Sequence, residues 1–153
     1  MKIILVLIWF CLQFSTAVAR LGDNEKQIEQ RYGIARAVKI DNELGVRVGL
    51  YKKNDLIISV IFKEGRSVVE KFEKNGFEKI TDAEAEQILE ANAGDHRWRS
   101  DDAWTETRVR SDSKAIARFQ PFYHWEFYIY DVEFLDFAKN KFVELDKAKL
   151  VDI

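Results

Sequence analysis

The spacing of apolar residues changes along the chain, and each change predicts an element. Ile3 to Leu12 is an unbroken apolar run of ten residues, too short for a bilayer, which takes about 20. Lys2 precedes the run, and Ala17-Val18-Ala19 places small residues just before Arg20. That order predicts a cleavable secretory signal peptide over residues 1–19. Next, Asn24 and Gln27 have the spacing of a capping box, Ile28 and Tyr32 share a helical face, and Gly33 supplies a stop. A short first helix is expected there.

Period-two patterns follow. Strands are predicted at 35–40, at 45–52, where Val46, Val48 and Leu50 alternate with Arg47 and Gly49, and at 67–74. Leu56–Phe62 is nearly continuous apolar, the mark of a central strand covered on both faces, with Ile58 and Val60 as core positions. Thr81 and Glu84 form a second capping box ahead of Ala85, Ile88 and Leu89, and Gly94 closes that helix. Further strands are expected at about 104–110, 114–120 and 124–130, with Ser111-Asp112-Ser113 as a turn and Pro121 between the last two. Asp131 is placed to cap a final helix carrying Leu135, Ala138, Phe142 and Leu145 at helical spacing. The order of elements predicts an α+β domain: an antiparallel β-meander sheet with helices packed on one face. It reads as two tandem α-βββ units, the first with a fourth strand, plus a C-terminal helix. The expected organisation is a leader at 1–19 and one domain at 20–153, with units at about 20–76 and 77–147.

Composition sharpens this reading. The only cysteine, Cys11, falls inside the leader, so 134 residues without a thiol must be held by their own core. Removing Lys2 with the leader leaves 23 basic against 26 acidic side chains, interleaved along the chain. A basic footprint for nucleic acid is absent from that pattern. No segment is expected to stay in a membrane after cleavage, and the location expected is exported, periplasmic or secreted.

The opening Leu21-Gly22-Asp23-Asn24…Ile28…Tyr32-Gly33 resembles that of a group of small exported bacterial proteins of unknown function. The helix ending Leu89-Glu90-Ala91-Asn92-Ala93-Gly94, followed by Trp98 and Trp104, is similar to their second half. A more distant likeness is to the helix–meander domains of outer-membrane assembly lipoproteins and of β-lactamase inhibitor proteins. Here, however, Asp23-Asn24 stands in their Ser/Thr region and Ile34-Ala35 replaces a Gly-x-Pro ending. The resemblance implies fold class rather than chemistry.

Candidate chemistry is sparse. His124 and Glu126 are two apart on a strand and share a face, so they could pass a proton, with His96 the other histidine. The plainer reading is that Trp125, Phe127 and Ile129 face the core and the polar alternates face water. A zinc site needs three or four good ligands, which two histidines do not supply, so no metal and no cofactor are expected. Arg97 and Arg99 lie in the charged stretch 95–102, and Arg108, Arg110 and Arg118 fall on one hairpin. With a three-residue turn, Arg110 would face Lys114 and Glu106 would face Arg118, giving a basic edge for an anionic partner. The catalytic motifs G-x-S-x-G and H-E-x-x-H and the phosphate-binding loops are missing. The function expected is a non-enzymatic exported binding or interaction module with an unidentified protein or envelope partner. The alternatives are a small exported hydrolase with a His/carboxylate site and a structural component of the cell envelope.

Overall fold

Caps and turns set the element boundaries. The computed structural model describes the backbone of residues 21–76, 78–101, 106–120 and 123–151, with side chains except at 120, 123–125 and 142–151. The expected leader with Cys11, and Trp104 and Pro121, lie outside the described residues, as do the side chains of His124, Trp125, Phe142 and Leu145.

Helix α1 (Glu25–Tyr32) starts from the expected capping box. Asn24 Oδ1 accepts from the Gln27 amide at 3.0 Å, and Gln27 Oε1 accepts from the Asn24 amide at 2.9 Å. Helix α2 (Asp82–Ala93) repeats the device with Thr81 and Glu84. Helix α3 (Val132–Val151) is capped by Asp131, whose Oδ1 accepts from the Phe134 amide at 3.0 Å.

The strands are β1 (Ala37–Asp41), β2 (Val46–Lys53), β3 (Leu56–Lys63), β4 (Arg66–Lys74), β5 (Trp98–Ser100), β6 (Thr107–Arg110), β7 (Ala115–Gln120) and β8 (Tyr123–Asp131). They form one antiparallel sheet in the order β1-β2-β3-β4-β8-β7-β6-β5. Each half is a helix followed by a four-strand meander, and the halves meet where β4 pairs β8, with Phe72 opposite Phe127. The second unit therefore has one strand more than expected. Trp98-Arg99-Ser100 carries a single apolar residue, too few to show a period of two. Its pairing with β6 defines it, and the Trp98 indole anchors it by donating to Leu89 O at the end of α2, at 2.7 Å.

The main core lies between the sheet and α1 and α2. Ile58, Val60 and Phe62 of β3 join Phe72, Ala117, Phe127 and Ile129 there, against Ile28 of α1 and Ile88 and Leu89 of α2. Ile58 and Val60 are buried, as expected of a central strand. Helix α3 departs from the one-face arrangement. Its Phe134, Phe137 and Ala138 pack on Val46, Ile61, Val69 and Tyr130, on the opposite side of the sheet. The alternation in β2 holds: Val46 is buried and Val48 and Leu50 are half-buried on the α3 side, while Tyr51 enters the main core from the other face. Gly49 makes room for it, because a Cβ there would sit 2.8 Å from the Tyr51 ring. Among the described residues no helix is long and apolar enough to cross a membrane.

Candidate functional site

The residues singled out by sequence are dispersed. His96 follows α2 and places Nε2 3.4 Å from Asp112 Oδ2. Arg110 already grips that carboxylate through Nε and an Nη, both at 2.9 Å, and the Lys114 amide donates to it as well. The Arg110 hydrogen bonds are the main reason the Asp112 carboxyl is held below its ordinary range. Asp112 thus organises the β6–β7 turn. Glu126 lies two strands away from β6, several residues along β8, so His96 and Glu126 are not brought together.

The basic edge is divided by register. Thr107 faces Arg118 and Arg108 faces Ala117, so the turn holds four residues rather than three. A one-residue slip exchanges the faces of a strand. Arg108 and Arg110 consequently point to the helix side, where Arg108 lies 3.8 Å from Glu86 of α2, and Arg118 points to the α3 side. Arg97 and Arg99 are exposed near the β5 edge.

On the α3 side, β4, β7 and β8 bring together a polar row. Lys71 bonds Glu73 and Glu126, Tyr128 O–H donates to the other oxygen of Glu126 at 2.8 Å, and Tyr128 stacks on Tyr130 at 5.3 Å. The Arg118 guanidinium lies 5.6 Å from the Tyr130 ring centre. Burial first, then Glu126, pushes the Tyr128 phenol up. Both Glu126 oxygens are committed as acceptors, which makes the carboxylate a cross-strand tie.

A second cluster was missed by sequence reasoning. Glu70 of β4 is fully buried on the main-core side and accepts from Tyr32 O–H at 2.8 Å. Arg31, also buried, lies 3.7 Å from the other Glu70 oxygen and 2.7 Å from Asp23. Burial raises the Glu70 carboxyl above its ordinary value, against the lowering by Arg31. Charges on both sides of the strand conceal this residue: Glu70 pairs opposite Val60 on the main-core side, while its neighbour Val69 pairs opposite Ile61 and is buried on the other face. The one sequence signal was that Glu70 shares the strand parity of Phe72.

Beside this cluster a groove of about 410 Å³ opens between the end of α1, the β2–β3 turn and α2. Ile58 and Phe72 line it with Ile88 and Ala91, and Arg31, Tyr32 and Asn92 are its inner polar groups. Asn92 Nδ2 donates to Ile88 O at 3.1 Å, while its buried Oδ1 and the buried Arg31 Nε have no hydrogen-bond partner among the described residues. An acceptor and a donor, both withdrawn from water, therefore belong to residues lining one groove, whose wall is part apolar and part polar, with Lys53, Asp55, Glu84 and Gln87 among its lining. A larger recess of about 480 Å³ at the β1–β2 end has its facing charges Arg47 and Glu25 already paired at 2.7 Å.

These features define an α+β protein with an eight-stranded antiparallel sheet and a groove on the side that carries α1 and α2. No protein-family model and no curated protein matches the sequence. Among solved structures the chain is similar to a cysteine-rich secretory protein from Staphylococcus aureus, with a TM-score of 0.44 and 16% identity over 75% of this chain. The match spans 44% of that protein's length.

Proposed function

We propose that the chain is an exported, non-enzymatic binding module whose ligand sits in the groove between α1 and α2. The observation that carries this reading is the pair of buried polar atoms without a partner among the described residues, Asn92 Oδ1 and Arg31 Nε, on residues lining a groove of mixed polar and apolar wall. A buried polar group left unpaired costs about 1–3 kcal/mol, so a ligand that satisfies it gains directional affinity. The groove volume falls within the usual range for small-molecule sites. The ligand class is amphipathic and neutral: an apolar body against Ile58, Phe72 and Ile88, with a head group that donates to Asn92 and accepts from Arg31. His96 is not among the residues lining the groove, and binding without chemistry is the economical reading. Export rests on the residue order over 1–19.

Native mass spectrometry of the protein recovered from its own host tests both parts. The chain should begin at Arg20 and carry a small-molecule adduct, and Ala91→Trp, which fills the groove, should lose the adduct while keeping the circular-dichroism spectrum of the unaltered chain. An intact Met1 would sink the export reading, and a bare mass for the unaltered chain would sink the groove.

A further inference from the structure

We infer that the β1 edge of the sheet is a self-association surface, on which a second copy of this chain pairs its own β1 antiparallel. The large apolar residues exposed among those described are Ile34, Val38 and Ile40, and all three lie on β1 or just before it. Ile40 is 66% exposed. Strand β1 ends the sheet order, so one row of its backbone groups has no neighbouring strand, and such an edge templates pairing with another chain. The opposite edge is guarded: β5 has only three residues and carries Arg99.

Charge complementarity selects the copy and the register. Val38 and Ile40 lie on the helix side of the sheet, opposite Gly49 and Arg47, while Lys39 and Asp41 lie on the other side, opposite Val48 and Val46. If Ile40 faces Ile40 of the second copy, then Lys39 of each copy faces Asp41 of the other, giving two opposite-charge pairs about one twofold axis. Moving the axis to Lys39 would set two lysines against each other. Shifting by a single residue would pair Ile40 with Lys39. Of the three, the axis at Ile40 is the one that pairs opposite charges on one face and Ile40 with Ile40 on the other, with Val38 opposite Asn42 just past the end of β1, and it joins two sheets edge to edge.

The test reads oligomeric state and register together, in chains carrying Cys11→Ser. Light scattering across a concentration series should show a monomer–dimer equilibrium, and Lys39→Asp, with an unchanged circular-dichroism spectrum, should raise the dimer Kd at least tenfold. Ile40→Cys should form a covalent dimer under mild oxidation, because facing Cβ atoms on paired strands lie about 4.5–5.5 Å apart. Lys39→Cys should stay monomeric under the same conditions. A chain that remains monomeric throughout the series overturns the inference, as does cross-linking at residue 39 in preference to residue 40. If Lys39→Asp fails to fold, the two cysteine variants still decide the register.

Discussion

Tyr51 shows how one residue's fit depends on its neighbours. Its ring is buried in the main core across Gly49, its hydroxyl has no protein partner, and burial pushes the phenol up to about 12. Removing an unsatisfied buried hydroxyl is close to neutral or favourable, so Tyr51→Phe should keep or raise the melting temperature. Gly49→Ala drives a methyl into the ring and should destabilise by about 1–3 kcal/mol in urea titrations. Two glutamates act on pH dependence with opposite sign. Glu84 is lowered from 4.5 to about 2, chiefly by its bond to Lys74 and then by Thr81. Its stabilising effect is complete above pH 4.5 and is lost as pH falls towards 2. Glu70 is raised by burial, so its effect is complete below pH 4.5 and is lost as pH rises through its folded value. Stability measured against pH should therefore show a shallower acid-side slope in Glu84→Gln, with Asp112 still contributing, and its decline above pH 4.5 should flatten in Glu70→Gln. Unchanged profiles would refute these assignments.

At the scale of elements, side-chain caps and cross-strand register account for the boundaries. Asp131 is both the last residue of β8 and the cap of α3, so the chain passes from strand to helix without a loop. Asp131→Ala should cost about 0.5–2 kcal/mol, as the loss of an N-cap does. The same change should leave the α1 and α2 caps intact, which amide exchange at Gln27 and Glu84 can check. The sequence located the β6–β7 hairpin but missed its register by one residue, and that single step sends Arg108 and Arg118 to opposite faces. Turn length is a local choice among conformers of similar energy; here the pairing of β7 with β8 constrains it, with Ala117 opposite Ile129 in the core.

For the whole molecule, the junction of β4 and β8 matters most. The main core draws on both halves, with Ile58 and Phe72 from the first and Phe127, Ile129 and Leu89 from the second. Neither half can bury its apolar face without the other. Urea unfolding followed by far-ultraviolet circular dichroism and by aromatic fluorescence should give coincident transitions. Two separated midpoints would show that the meanders are independent.

The sequence by itself determined the antiparallel α+β class, the three helices with their caps, the central strand β3 and the burial of Ile58 and Val60. Those features rest on periodicity and on hydrogen bonds within four residues, which a linear pattern carries in full. Tertiary structure alone decided the side on which α3 packs, the pairing of β5, the faces of the arginines, and the meeting of Arg31, Tyr32 and Glu70. Each of these turns on which strand or helix lies beside which, and so on contacts between residues far apart in the chain, as where Tyr32 reaches Glu70, about 40 positions on. The groove belongs to the same class: Arg31 and Asn92 come from the two halves of the chain, and only the continuous sheet places them side by side.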